Sequence, residues 1–247
     1  MGLTIHYSLR ATTRSPNKVR DLIRRLRSRA LDLPFESVDD IIELQGDECQ
    51  FQEHGDESPH RWLLIQARQL VPDPRDEDCR YAVDPLHVIA FSTWPGQGCE
   101  QANFGLCRFP ATIEVGRWVP RTIRTHLGPW CWASFCKTQY AGNPDCGGVP
   151  NFIRCHLAVI AMLRQAQALG ILNEVYDEGE FWQCQDVPAL ARAVGQWNES
   201  IAQQVAALRS VFGNTVQSPV AGFPDFAQLA ANGQPAPAAA GGVGRSP

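Results

Sequence analysis

Several things are missing from this chain, and each absence closes a class of function. No run of apolar residues approaches the roughly 20 that a membrane-spanning helix needs. The opening MGLTIHYSLR has no basic start, long apolar middle or small-residue cleavage site, so it does not read as a secretory signal. It begins Met-Gly, but His6 stands where a myristoylation signal wants Ser or Thr. There is no G-x-x-x-x-G-K loop to cradle nucleotide phosphates, no H-E-x-x-H for zinc hydrolysis and no G-x-S-x-G nucleophile elbow. No C-x-x-C pair occurs either. The simplest expectation is a soluble cytoplasmic protein without a membrane partner.

What is present suits a globular domain. The 247 residues are 44% hydrophobic and carry a formal net charge of −4, so the chain as a whole is no polyanion binder. Nine cysteines is a high and odd number, which rules out complete pairing within the chain. In a reducing compartment the default is free, mostly buried thiols that behave as small apolar residues.

Periodicity gives the elements. Residues 3–9 alternate, with Leu3, Ile5, Tyr7 and Leu9 on one side, as a half-buried strand does. Ser15-Pro16 opens a helix whose Val19, Leu22, Ile23, Leu26 and Ala30 recur at helical spacing, ending before Pro34. Strands are expected at 39–46, 61–71 and 87–94, and further ones at 104–115 and 121–127, with Pro110 marking an edge or bulge. Residues 131–150 read as irregular, followed by a helix capped by Asn151 that stops at Gly170. Residues 171–177 look extended. The longest helix, 186–212, carries a stripe of Leu190, Val194, Trp197, Ile201, Val205, Leu208 and Phe212. The expected fold is α+β: a mixed, largely antiparallel sheet with about three helices packed on it and a disordered C-terminal tail. Residues 1–212 would form a single domain and 213–247 an Ala/Gly/Pro-rich low-complexity tail.

Charge is uneven along the chain. Residues 10–29 hold eight of the 22 Lys and Arg, whereas residues 30–60 hold none of these and ten acids. An arginine-faced helix can grip phosphates. A solvated helix face balanced by the acidic segment is the simpler reading, because no aromatics interleave with the cations between Tyr7 and Phe35. Nucleic acid is therefore not the expected partner.

The stretch CWASFCKTQYAGNPDCGGVPNFIRCH, residues 131–156, holds four of the nine cysteines. A structural zinc wants ligands in close pairs. Cys131 and Cys136 have four residues between them, Cys146 and Cys155 have eight, which is loose, and Cys155 and His156 point about 100° apart on a helix. Zinc is possible but not favoured, so no cofactor or metal is expected. A cysteine nucleophile is also disfavoured: Lys137 would face away from Cys136, and Asp145 beside Cys146 opposes thiolate.

The segments CKTQYA (136–141), FIRCHLAVIAML (152–163) and VYDEGEFW (175–182), with the LTIHYSL start, resemble an uncharacterised bacterial protein family. That family pairs a Lys-Thr-Gln-aromatic-Ala loop, a helix bearing one His and an Asp-Glu-Gly-Glu-aromatic-Trp segment. It has no settled activity, so the resemblance implies no reaction. Its pattern lacks most of the cysteines, which moves attention to Lys137, Gln139, His156, Asp177, Glu178 and Glu180.

These residues also make sense alone. Phe152, Val159, Ile160 and Leu163 share a helix side with His156, so the imidazole points inward and needs partners. Asp177 or Glu178 would supply one, Gly179 lets the chain turn, Trp182 would cover the site and Lys137 would balance the acids. Two functions follow. One is a binding or regulatory module that recognises an unknown protein or small-molecule ligand through residues 131–182, with Gln139, Glu178, Glu180 and Trp182 as contacts. The other is a small hydrolase-type enzyme with His156 as general base, Asp177 orienting it and Lys137 stabilising negative charge.

Overall fold

The computed structural model describes residues 3–51, 60–116 and 119–232. In chain order they form β1 (Thr4–Ala11), α1 (Pro16–Leu31), β2 (Ser37–Val38), β3 (Ile42–Gln45), α2 (Arg61–Ala67), β4 (Gln69–Asp73), β5 (Asp76–Val83), β6 (His87–Trp94), β7 (Ala102–Arg108), β8 (Thr112–Val115) and β9 (Arg121–Arg124). There follow β10 (Trp130–Lys137), α3 (Gly148–Ala168), β11 (Leu172–Asp177), α4 (Phe181–Cys184), α5 (Val187–Phe212) and α6 (Phe226–Ala231), with short 3-10 turns between some of them.

The fold is α+β and its sheets are antiparallel. The main sheet runs β11-β1-β10-β7-β6-β2, and β3 follows β2 along the same edge of β6. Hairpins β4–β5 and β8–β9 form two small separate sheets. β1 alternates as its sequence requires: Ile5, Tyr7 and Leu9 are buried, while His6 and Arg10 are exposed. It lies between β10 and β11, with His6 opposite Phe135 on one side and opposite Tyr176 on the other.

The helices cover the sheet with the faces their sequences mark. α1 starts with Pro16 at its first position, where the missing N–H costs no hydrogen bond. It buries Val19, Ile23, Leu26 and Ala30 against β6, β7 and α3. Each of the three larger side chains contributes about 1.5–3 kcal/mol on full burial. α3 packs on α1, β11 and α5, burying Phe152, His156, Val159 and Leu163 along one side. α5 is capped by Asp186, whose carboxylate accepts from the Ala189 N–H at 3.0 Å. Among the described residues no helix is long and apolar enough to cross a membrane.

Several local expectations are overturned. Residues 61–67 are helix, not strand: Leu63, Leu64 and Ala67 are buried at helical spacing, and the chain turns extended only at Arg68. A short apolar run without alternation does not distinguish the two. The 104–115 segment is two strands in different sheets, broken at Pro110. Residues 131–137, expected to be irregular, belong to the central strand β10. α3 begins at Gly148, not at an Asn151 cap; the Asn151 side chain instead donates to Gln97 O at 3.1 Å and to Ala141 O.

The C-terminal boundary also moves. Leu208 and Phe212 at the end of the α5 stripe are exposed. Farther back on the helix, Ala202 joins Val220 and Phe223 in a small apolar cluster. Residues 213–232 thus fold back on α5 and α6 packs along it, so the expected tail from 213 is corrected up to 232. The rest of that expected tail, 233–247, lies outside the described residues.

Candidate functional site

The three expected pieces do meet. β10 leads into Thr138, whose N–H donates to Leu3 O, and a 3-10 turn over Gln139–Gly142 follows. α3 turns His156 inward beneath this turn, and β11 ends at Asp177 beside Ile5 of β1. His156 is fully buried, its Nδ1 lying 2.9 Å from Thr138 Oγ1 and its Nε2 3.3 Å from Asp177 Oδ2. The ionised carboxylate only accepts, so Nε2 carries the proton and the Thr138 hydroxyl can donate to Nδ1. Phe152 lies one turn earlier with its ring 5.4 Å away and tilted.

Asp177 is a structural node as much as a partner to the imidazole. Its Oδ1 accepts from the Gly179 N–H at 2.9 Å and its Oδ2 from the Trp182 N–H at 2.9 Å, fixing the turn into α4. Burial alone would raise its pKa, but the hydrogen bond and charge of His156, with the two backbone donors, hold it below the usual carboxylate range. Gly179 passes closely over this pair: a Cβ there would lie 2.6 Å from Leu190 Cδ1 and 3.3 Å from His156 Cε1.

The other expected site residues do not converge on the imidazole. Lys137 Nζ donates to Tyr140 OH at 2.9 Å and sits over that ring, so it does not stand opposite His156. Gln139 is fully buried, accepting from Leu3 N at 3.2 Å and donating to Asn198 Oδ1 at 3.1 Å, which ties β1 and α5 together. Glu178 accepts from the Thr4 N–H at 2.8 Å. Glu180 is exposed, with a left-handed backbone at the start of α4. Trp182 stacks under the Arg164 guanidinium, 3.7 Å from its ring centre. Thr138 is the site residue that sequence reasoning missed.

This arrangement binds and orients a proton but offers it to nothing outside. His156 is fully buried and Asp177 nearly so. Among the described residues no three His, Cys, Asp or Glu side chains are placed to hold a metal. Cys131 and Cys136, five apart on one strand, face opposite sides of it. All nine cysteines are free; Cys49, Cys107, Cys136 and Cys155 are buried and Cys184 is exposed.

A different surface is open. His6, Phe135 and Tyr176 form a row across β10, β1 and β11, with ring centres 5.8 Å and 6.0 Å apart. Phe135 is 40% exposed and Tyr176 64%, and α2 with its following strand adds Trp62 at 71% and Leu70 at 61%. Two adjoining cavities of about 620 and 470 Å³ share Gln66, Arg68 and Phe135 as walls. Gln66 is fixed there, its Oε1 accepting from Ser134 Oγ at 2.6 Å and from Asn103 Nδ2 at 2.8 Å.

The basic helix is balanced as the sequence suggested. Arg20 makes a bidentate pair with Glu43 and Arg27 pairs with Asp40, so part of the α1 charge is spent on the acidic segment after it. Comparison with protein-family models, with curated proteins and with solved structures returned no match.

Proposed function

We propose that this chain is a non-enzymatic binding module of the cytoplasm that docks a protein partner on the open face built by β11, β1, β10 and α2. The observation that carries this is the cluster of exposed Trp62, Leu70, Phe135 and Tyr176 on packed elements. Soluble monomers rarely leave large apolar side chains grouped in this way, and grouped ones mark contact surfaces. Aromatic side chains held on strands lose little entropy on contact, which is why they recur at the centres of interfaces. The face lies partly within residues 131–182 and borders α2 outside that span. Nine unpaired thiols suit a reducing compartment.

A small-molecule site at Lys137 and Gln139 is disfavoured, since one is capped by Tyr140 and the other is enclosed between Leu3 and Asn198. The hydrolase reading is disfavoured by the same geometry. A general base must come within hydrogen-bond reach of the proton it takes from a substrate, and His156 has no exposed surface.

The test is photocrosslinking in cells with a benzophenone amino acid placed singly at 62, 135 and 176. The control carries it at 211, where Val211 is 73% exposed on α5. One discrete protein adduct common to the three positions and missing at 211 is expected. No adduct at the three, or the same adducts at 211, would refute the reading.

A further inference from the structure

The cations gathered in residues 10–29 are not all matched by acids. Arg20 and Arg27 on α1 each pair with a carboxylate, as Arg121 and Arg154 do elsewhere. Arg10, at the end of β1, and Arg14, in the connection to α1, have no ion pair among the described residues, and neither has Arg108 at the end of β7. All three are exposed.

The sheet brings them to one place. β1 ends beside the start of β10, with Ala11 opposite Trp130, and β7 ends there too, with Cys107 opposite Cys131. A cavity of about 470 Å³ lies at this end, with Thr12, Arg14 and Arg108 among its walls. Arg10 reaches the same edge: its Nε and Cζ lie 3.9 Å from where a Cβ on the wall residue Gly128 would stand.

No wall residue of this cavity is an acid. Exposed Ala111 and half-buried Leu127 and Pro129 give it apolar surface. Trp130 beneath them is fully buried, and its Nε1 has no hydrogen-bond partner among the described residues. His87 packs on Trp130 with ring centres 5.0 Å apart, but Glu43, which His87 contacts, is already paired with Arg20. The positive groups here are thus left without the counter-charge that the other arginines find.

Like charges gathered without a counter-charge repel one another, and a concave basic surface raises the local concentration of anions. Guanidinium groups suit oxyanions in particular, since each presents parallel N–H donors to two oxygens. Small-molecule sites commonly enclose roughly 300–1,000 Å³, with apolar walls and a few polar groups that fix orientation.

We propose that this cavity binds a small organic phosphate. Its phosphoryl oxygens lie between Arg10, Arg14 and Arg108, with the Thr12 hydroxyl as a further donor, and its apolar body rests on Leu127 and Pro129. Three uncompensated cations match a dianion better than a carboxylate. The exposed guanidinium groups make the polar contacts; the buried indole is not one of them. The cavity shares no wall residue with the two on the proposed docking face, so the sites are separate.

The test is titration calorimetry of the full chain with phenyl phosphate at about 50 mM salt, where screening is weak. Saturable one-to-one binding is expected. Inorganic phosphate should bind more weakly because it lacks the apolar body, and benzoate more weakly because it carries one charge. Arg14→Gln and Arg108→Gln should each weaken phenyl phosphate binding about fivefold, the most that one exposed ion pair contributes. Arg192→Gln, an exposed position on α5, should leave it unchanged. The proposal is overturned by absence of saturable binding, or by equal affinity in Arg108→Gln and Arg192→Gln. Benzoate or inorganic phosphate binding as tightly as phenyl phosphate overturns it too.

Discussion

Replacing Asp177 by alanine should cost the fold about 3–5 kcal/mol. Three donors converge on this carboxylate: His156 Nε2, Gly179 N and Trp182 N. Removing it leaves the first two buried and unpaired and the third partly so. Each fully buried donor left without a partner costs about 1–3 kcal/mol, and loss of one member of a buried pair costs about 3–5 kcal/mol in total. For a chain of this size 1 kcal/mol moves the melting temperature by about 2–4 °C, so a fall centred near 12 °C is expected in scanning calorimetry. Asp177→Asn should fall in between, because its amide oxygen still accepts one hydrogen bond while its NH₂ faces another donor. The imidazole itself should show a slowly exchanging Nε2–H signal in the wild type and lose it in Asp177→Ala. A melting temperature within about 2 °C of wild type would refute the argument that this network holds β11, α3 and the α4 turn together.

Three further outcomes follow from the same geometry. Glu43 lies about 2 on the pH scale instead of its ordinary 4.5, chiefly through the hydrogen bond from Arg20, with His87 helping against the opposing effect of burial. Its stabilisation is complete above pH 4.5 and is lost as pH falls towards 2, so Glu43→Gln should flatten the acid limb of stability there, as read by urea titration at successive pH values. Gly179→Ala should destabilise by about 1–3 kcal/mol through overpacking. Because its Cβ would meet Leu190 Cδ1 at 2.6 Å, the double variant with Leu190→Ala should be less unstable than the sum of the two singles. Phe223→Ala should cost about 3–5 kcal/mol and speed amide exchange across 216–231 while leaving β1 and β10 protected; unchanged exchange there would mean the segment does not depend on that contact.

The elements legible from sequence were those with one strong periodicity. α1, α3 and α5 each carry an apolar stripe, with a readable start in α1 and α5, and β1, β6 and β11 appear close to their expected bounds. α2 was not legible, because Trp-Leu-Leu-Ile is apolar on every side: Trp62 and Ile65 face outward while Leu63 and Leu64 face in. The end of the domain was hidden for the opposite reason. Residues 213–232 are poor in charge and rich in small residues, and of their apolar side chains only Val220 and Phe223 are buried in the cluster with Ala202, with Phe226 and Leu229 packed at its edge. Apolar residues at 220, 223, 226 and 229, spread over two short turns of helix, give no long stripe.

The site was half legible, and the missing half follows from a rule the chain obeys in plain sight. Along β10, Trp130, Trp132, Ser134 and Cys136 point in, while Cys131, Phe135 and Lys137 alternate with them. The four cysteines nearby drew the eye to metal chemistry and away from this alternation. Extended by one residue, it places Thr138 on the inward side, where it meets His156, and Lys137 on the other, where it meets Tyr140. The energetics agree with the geometry. A hydroxyl that donates one hydrogen bond is cheap to enclose, whereas an ammonium beside a sealed imidazole would carry a large desolvation cost unless paired. Asp177 already has three donors, so a fourth, charged one is not needed to keep it ionised. Lys137→Met should therefore leave the slowly exchanging His156 Nε2–H signal in place, whereas Thr138→Val should weaken it. The reverse outcome would place the ammonium, after all, in the network.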